Sequence, residues 1–252
     1  MFEYDNVKKF TGIEDREVLR EFADIEEAIR LGIARPIGSV SASLGKGMVA
    51  YIEGWDLYIV SAENDDAAIS LMGYLPKRAG YGLCVHGEKA ISFAKDFLGL
   101  SGNETYYQFV YEGSKEDIAV HMGSHDGYPL EVRHPLASDL ETVKKYYDLI
   151  PEEDLERDFS NPAFLGGYTE GKMSCFIGLH REGAMGLLRV FPEYRRRGYA
   201  EKIYSTLIYE QIKRGAIPYC HVDVTNDASI ALQKKLGFSV AKQPLAWLGP
   251  DW

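Results

Sequence analysis

The stretch Leu187–Ala200 (LLRVFPEYRRRGYA) contains residue types that could bind a large anion. An apolar run that predicts a strand leads into Arg195, Arg196 and Arg197, then into Gly198 and the start of a predicted helix. The first N–H groups of a helix lack partners within the helix and lie at its positive end, so a strand–turn–helix of this kind suits a pyrophosphate. Gly198 would let the backbone approach the phosphates, and arginine adds charge-assisted hydrogen bonds.

The elements around this turn follow from hydrophobic periodicity and turn residues. A capping box of Ser138 and Glu141 predicts the start of one helix. The patterns predict helices over 138–150, 151–159, 198–214 and 227–236, and strands over 130–133, 164–169, 174–179, 184–191, 217–224 and 245–248. The second half of the chain is therefore predicted as a mixed α/β (α+β) fold.

The front half of the chain also alternates between strands and helices. The patterns predict helices over 14–31, 65–75 and 88–98, strands over 49–53, 55–61, 82–86 and 105–111, and a Gly/Ser loop over 36–47. A second loop, 122–129, is rich in turn residues and predicts a domain boundary. We therefore expect an α/β domain over 1–128 and a second domain over 129–252.

Two motifs in this order resemble those of a known superfamily. Arg195-x-x-Gly198-x-Ala200 is similar to the R/Q-x-x-G-x-G/A signature of the GCN5-related N-acetyltransferases (GNAT). Downstream, Asn226 is followed by Ser229, Leu232, Lys235 and Gly237-Phe238, which resembles the second strand–helix motif of that superfamily. The resemblance spans residues 130–250. The front half repeats the coarse element order, which suggests a degenerate copy, as in two-domain members resembling the glycine N-acyltransferase group.

The resemblance implies a mixed sheet that splays between two parallel strands ending near Val190 and Val224. It also implies acetyl-CoA, or another acyl-CoA, as co-substrate. The pyrophosphate would bind to Arg195, Arg196, Arg197, Gly198, Tyr199 and Ala200, and the pantetheine arm to the backbone around Leu188 and Val190. The N–H near Val190 would polarise the thioester carbonyl. Asn226 and Ser229 would contact the pantetheine arm, although an N-cap role alone also accounts for Asn226.

Attack of an amine on a thioester is helped by a general base, which Glu182 or His221 could supply. Both side chains could equally support the fold without touching the substrate. Members of the superfamily commonly have a tyrosine, which protonates the leaving thiolate, where this chain has Gln233. Tyr199 or Ser229 could replace it, or the thiol could leave without a dedicated acid.

Composition restricts the classes of function. The 252 residues carry a net charge of −10, and residues 1–128 hold 12 Lys and Arg against 21 Asp and Glu, which disfavours nucleic-acid binding. No apolar stretch is long enough for a membrane span, and no signal peptide is evident. Cys84, Cys175 and Cys220 lie in apolar runs, which predicts reduced core thiols and a cytoplasmic protein. His121, His125 and Asp126 do not form a metal-binding pattern, so no metal is expected.

The function predicted from these observations is transfer of an acetyl or other short acyl group from acyl-CoA to the amine of a small molecule, by a monomer or homodimer. One alternative is an acyl-CoA-binding sensor without catalysis. The other is an acetyltransferase that acts on protein N-termini or lysines.

Overall fold

The computed structural model describes residues 18, 20–40, 43–78, 80–123 and 128–250. Contacts divide these residues into two compact units. The four-strand unit contains residues 111–218 and 234–237, and the seven-strand unit contains the other described residues. The domain boundary predicted between residues 128 and 129 stays a prediction. The two units are defined by contacts in space, and each of them contains separate segments of the chain.

The seven-strand unit is built around one mixed sheet. Its strands are β1 Ala34–Val40, β2 Gly47–Ile52, β3 Leu57–Ala62, β4 Gly82–His86, β5 Tyr106–Tyr111, β10 Tyr219–Asp223 and β11 Phe238–Leu248. Their order across the sheet is β1-β2-β3-β4-β11-β5-β10. β3 and β4 pair in parallel, whereas β4 and β11 pair antiparallel. The last strand of the chain thus lies in the interior of the sheet that the front half begins.

Helices cover both faces of this sheet. A 3-10 turn, Arg20–Phe22, leads into α1 Ala23–Arg30, and the other helices are α2 Asp65–Leu71, α3 Glu88–Leu98 and α8 Asp227–Lys235. Strand residues alternate between the faces. Val49 packs in one core with α2 and α3, and its neighbours Met48 and Ala50 pack in another with α1.

The prediction of a loop over 36–47 was wrong for its first residues, because β1 is a strand that pairs with β2. Pro36 is compatible with this strand because β1 forms the edge of the sheet. A residue of an edge strand can lack the backbone N–H that an interior strand would need for pairing. The register shifts between Pro36 and Gly38, so the edge is also irregular. The predicted helix over 14–31 begins in the undescribed residues and continues as the 3-10 turn and α1.

The four-strand unit contains the predicted anion-binding turn. Its sheet has the order β6-β7-β8-β9, with β6 Glu131–Arg133, β7 Leu165–Thr169, β8 Lys172–Leu179 and β9 Met185–Val190. Its helices are α4 Lys115–Ala119, α5 Leu140–Tyr146, α6 Glu152–Phe159 and α7 Tyr199–Lys213. Val143, Leu155, Phe164 and Phe176 form its core between the sheet and helices α5 and α6.

The structure settles two local predictions. The capping box at Ser138 was wrong, because Asp139 instead accepts the N–H of Leu136 at 2.8 Å and α5 begins at Leu140. The carboxylate satisfies a donor just before the helix, which is the task that Ser138 was expected to perform. The prediction for the cysteines is confirmed, since all three are buried free thiols. Burial raises the pKa of Cys175 to about 12.

Candidate functional site

The site begins with the edge of β9 that faces away from β8. β9 is the last strand of its sheet and pairs with β8 along one edge. Within the described residues, no strand pairs with the other edge. Leu188 and Val190 are half-buried there. Some backbone groups of an edge strand point away from its only neighbour, so they are available to a ligand.

A β-bulge interrupts β9 in its middle. Phe176 pairs with Arg189 and Gly178 with Gly186, so Leu187 and Leu188 together oppose a single residue of β8. Leu187 has a φ of 56°, a left-handed conformation that is costly for a leucine, and its side chain is buried. Such bulges redirect a strand and are common beside functional sites. Sequence reasoning missed this feature because a leucine gives no signal for positive φ.

The chain after β9 is held in place by backbone and side-chain hydrogen bonds. The N–H of Phe191 donates to the carbonyl oxygen of Ser174 at 3.0 Å, and a 3-10 turn follows over Pro192–Tyr194. Arg195 Nε donates to the carbonyl oxygen of Val190 at 3.3 Å. These contacts fix the direction in which the turn leaves the strand.

The turn itself alternates between extended and left-handed residues. Arg195 is extended, Arg196 has a φ of 60°, and Gly198 has a φ of 75° at the N-cap of α7. The first backbone bond of the helix joins the N–H of Lys202 to the carbonyl oxygen of Gly198 at 3.1 Å. None of the backbone N–H groups of residues 196–200 donates to an acceptor in the described part of the chain. A row of such groups at a helix N-terminus forms an anion-binding concavity.

Three arginines surround these N–H groups. Arg195 and Arg196 are exposed, and Arg197 is half-buried. One terminal nitrogen of Arg197 donates to the carbonyl oxygen of Glu193 at 2.8 Å, and its guanidinium lies 5.2 Å from the ring centre of Tyr194. Among the described residues, no carboxylate forms an ion pair with any of the three. Their positive charge therefore adds to the field of the helix end, which favours a multiply charged anion.

Tyr199 holds the start of α7 against the sheet. Its side chain is 2% exposed, and its hydroxyl accepts a hydrogen bond from Thr169 Oγ1 at 2.9 Å. The same hydroxyl donates to the carbonyl oxygen of Pro129 at 3.4 Å. Because both its donor and acceptor capacities are in use, this geometry supports an anchoring role and disfavours Tyr199 as the acid. Ala200 follows it as a half-buried small residue.

Glu182 lies in the same unit, at the other end of β9 from the turn. It is buried in the tight connection between β8 and β9, at 7% exposure. A strand rises ~3.3 Å per residue, so β9 separates Glu182 from Val190 by much of its length.

His221 belongs to β10 in the seven-strand unit, and both of its ring nitrogens are engaged. Trp247 Nε1, which can only donate, lies 3.3 Å from Nδ1, so Nδ1 is the acceptor. Nε2 lies 2.8 Å from Gln108 Oε1 and is therefore assigned the proton. The lone pair of Nδ1 is thus already engaged by Trp247, and Nε2 is engaged by Gln108.

The second motif also lies in the seven-strand unit up to residue 233. Asn226 Oδ1 accepts the N–H of Ser229 at 3.1 Å, so Asn226 is the N-cap of α8, and Ser229 supplies the capped N–H. Gln233 is 2% exposed, and its Oε1 has no hydrogen-bond partner among the described residues. Gly237 ends the helical segment with a φ of 83°, as its position in the motif predicts.

The chain is similar to known proteins both in sequence, over one segment, and in fold. Residues 167–247 match the family model described as FR47-like protein. The chain is similar to a Drosophila protein of known structure, with 16% identity, a TM-score of 0.61, and coverage of 98% of this chain and 95% of that one. No curated protein matches it at a significant level.

Two further solved structures share the fold. A GCN5-related N-acetyltransferase from Kribbella flavida has 11% identity and a TM-score of 0.55, with 95% of this chain and 97% of that chain covered. A tandem GNAT protein from the clavulanic acid biosynthesis pathway has 11% identity and a TM-score of 0.51, with 93% and 95% covered. At identities this low, the similarity shows a shared fold and does not show a shared activity. Residues 167–247 therefore match an FR47-like family model, and the chain has the fold of the solved GNAT structures.

Proposed function

We propose that the protein is an N-acyltransferase that transfers an acetyl or other short acyl group from acyl-CoA to the amine of a small molecule. The observation that carries this proposal is the turn over 195–200. There, backbone N–H groups without acceptors in the described chain converge with three arginines that form no described ion pair. A pyrophosphate needs several donors and positive charge at one place, and this turn supplies both.

The neighbouring strand fits the other end of an acyl-CoA. The unpaired edge of β9 offers backbone groups around Leu188 and Val190 to an extended pantetheine arm, and acyl-CoA supplies the thioester when bound. The bulge at Leu187 and Leu188 changes the direction of these backbone groups in mid-strand. An N–H near Val190 would then stabilise the negative charge that develops on the thioester oxygen during attack.

The reaction requires the acceptor nitrogen to lose a proton as it bonds to the acyl carbon and the carbon–sulfur bond breaks. We assign the general-base role to Glu182, acting through a chain of waters along β9, because it is a buried carboxylate in the unit that contains β9. His221 is the weaker candidate because it belongs to the seven-strand unit, which does not contain β9. A free thiol has a pKa of ~8.5, so the sulfur can leave as thiolate without a dedicated acid.

One observation favours a second function, an acyl-CoA-binding sensor without catalysis. Gln233 stands where related enzymes commonly have a tyrosine acid, and the hydroxyl of Tyr199 is bonded within the four-strand unit. We rank this alternative below the enzyme, since the reaction does not depend on a dedicated acid. The remaining alternative is an enzyme that transfers the acyl group to protein N-termini or lysines.

The thiols and the net charge bear on the compartment and on the acceptor. Free buried thiols and the negative net charge fit a cytoplasmic enzyme that takes a small cationic amine, as a monomer or homodimer. No helix among the described residues has the length and apolar character needed to cross a membrane.

The test is calorimetric titration of acetyl-CoA into the wild type, Gly198→Glu and Gly215→Glu. Gly198 and Gly215 flank α7, with φ of 75° and 70°, so the strain of substitution is alike. Only glutamate at 198 places a carboxylate at the anion site. We expect binding to the wild type and to Gly215→Glu, and at least a tenfold loss in Gly198→Glu. Equal binding by both variants would remove the turn from the site, and no binding by the wild type would overturn the function.

A second assay separates the enzyme from the sensor. Release of free CoA thiol is followed with acetyl-CoA and a panel of small amines, with an N-terminal peptide and a lysine peptide as alternative acceptors. Amine-dependent release supports the enzyme. Binding without release from any acceptor supports the sensor, and release only with peptides assigns the acceptor class to proteins.

A further inference from the structure

A buried polar cluster lies between α1 and the sheet in the seven-strand unit, and the proposed acyl transfer does not use it. It consists of Glu21, Asp24, Ser61, Cys84 and His86, and each residue is at most 1% exposed. Buried charged groups are costly unless they are paired, hydrogen-bonded or bound to a metal. The cluster is therefore a feature that requires a physical reason.

Three atoms of the cluster converge on a common point. His86 Nε2 lies 2.9 Å from Asp24 Oδ2, and Cys84 Sγ lies 3.9 Å from the same oxygen. All three atoms lie within 4.8 Å of one another. Cys84 and His86 are two residues apart on β4, so both side chains project from one face of the strand. Asp24 approaches them from α1.

The other polar atoms of these side chains are occupied. The second oxygen of Asp24, Oδ1, accepts hydrogen bonds from Ser61 Oγ at 3.0 Å and from the N–H of Ile25 at 2.8 Å. His86 Nδ1 lies 3.4 Å from Glu21 Oε2. Glu21 is itself held by the backbone N–H groups of Lys242 and Gln243. The surroundings thus orient Asp24 Oδ2 and His86 Nε2 toward Cys84.

An ion pair accounts for part of this arrangement, since a protonated His86 could bridge Glu21 and Asp24. The thiol of Cys84 also donates a weak hydrogen bond to Asp24 Oδ2, at 3.9 Å, so an ion pair with this bond is the alternative to a metal site. Metal-binding histidines usually donate their second ring N–H to a carboxylate, and metal-binding carboxylates are themselves hydrogen-bonded. Glu21 and Ser61 occupy those two positions, so the cluster has the arrangement of three zinc-type ligands with their supporting hydrogen bonds.

We propose that Asp24, Cys84 and His86 bind a structural zinc ion. A thiolate, an imidazole and a carboxylate together are typical zinc ligands, whereas Mg²⁺ and Ca²⁺ prefer oxygen ligands alone. A water would complete the tetrahedron. Because the ligands come from α1 and β4, the ion would fasten this helix to the sheet. The sequence analysis did not bring these residues together, because position 24 is far in sequence from 84 and 86, and it therefore expected no metal.

The test uses the full-length protein stripped with a strong chelator and titrated with Co²⁺ alone and then with Zn²⁺. We expect one equivalent of Co²⁺ to give tetrahedral d–d bands with thiolate-to-cobalt charge transfer in the near ultraviolet, and Zn²⁺ to displace it. Zinc should also raise the melting temperature of the stripped protein. The proposal would be overturned if the wild type gave no charge-transfer band and zinc did not change its melting temperature. The cluster would then be an ion pair alone.

Two variants locate the thiol. Cys84→Ala should abolish the charge-transfer band, whereas Cys220→Ala should keep it, since Cys220 is another buried thiol of the seven-strand unit. The opposite result would move the metal to a different place and overturn the assignment. If Cys84→Ala does not fold, Cys220→Ala and Cys175→Ala decide, because retention of the band in both leaves Cys84 as its source.

Discussion

Arg195 Nε donates a hydrogen bond to the carbonyl oxygen of Val190, 3.3 Å away, across the turn that follows β9. The arginine that marks the motif therefore joins the strand end to the turn before any ligand binds. Its neighbour Arg196 makes no such bond in the described chain and instead adopts a φ of 60°. The two adjacent arginines thus differ, since Arg195 shapes the turn and Arg196, on our proposal, faces the anion.

This difference predicts opposite effects on stability. Arg196→Gly should raise the free energy of unfolding by ~1 kcal/mol, because glycine adopts positive φ without strain, yet lower acetyl-CoA affinity about tenfold through loss of one charged donor. Arg195→Gly should lower both, because Arg195 has a φ of −65° and bonds Val190. Denaturant unfolding and calorimetry measure the two quantities. A loss of stability in Arg196→Gly would contradict the argument.

Tyr199→Phe should act on stability and leave the chemistry alone. Loss of the hydroxyl removes the bonds to Thr169 and Pro129, which should cost ~1 kcal/mol. Thr169→Val should cost a similar amount, and the double variant should cost less than the sum, since one bond is shared. The rate constant kcat and the alkaline limb of its pH profile should stay unchanged. A lower kcat at unchanged stability would instead identify Tyr199 as the acid.

The two candidate bases should separate in their pH profiles. Glu182→Gln should lower kcat/KM by ~10²-fold or more at neutral pH and remove the acid limb of the profile. His221→Gln should destabilise the protein by ~1–2 kcal/mol through its contacts with Gln108 and Trp247, and keep the acid limb. Steady-state kinetics across pH are the measurement. An acid limb that disappears in His221→Gln alone would reverse the assignment.

Acid should destabilise the four-strand unit through His180. Burial lowers the pKa of His180 below its usual value, and the charge of Arg157 acts in the same direction while Asp158 opposes both. The unfolded chain therefore binds a proton more readily than the folded one, so stability is full above ~pH 6.5 and falls below it. His180→Gln should flatten this part of the curve of unfolding free energy against pH. His134→Gln is the control, and an unchanged slope in His180→Gln would refute the role.

Local pattern predicts much of the fold. The strand Gly82–His86 and the helix Glu88–Leu98 have the limits that their periodicity predicts, because each is bounded by glycine. The turn over 195–200 is also predictable, since glycine and arginine have specific tasks there. β1 was missed because its Pro, Gly and Ser residues are typical of loops, and only pairing with β2 makes it a strand.

Features that depend on distant residues were beyond local reasoning. The positive φ of Leu187 accompanies the bulge opposite β8, and nothing in a leucine indicates it. The cluster around Asp24 and His86 joins positions far apart in the chain. Asn226 shows the opposite case, since its N-cap role follows directly from residue type and place.

The interior position of β11 has a consequence for how the protein is made. During synthesis the ribosome releases β4 and β5 long before Phe238–Leu248, the strand that lies between them in the finished sheet. Until then the front strands have edges with unsatisfied hydrogen bonds, which are prone to mispairing. Completion of the large sheet therefore waits until β11 has been synthesised, and we expect the open edges of the front strands to need shielding until then.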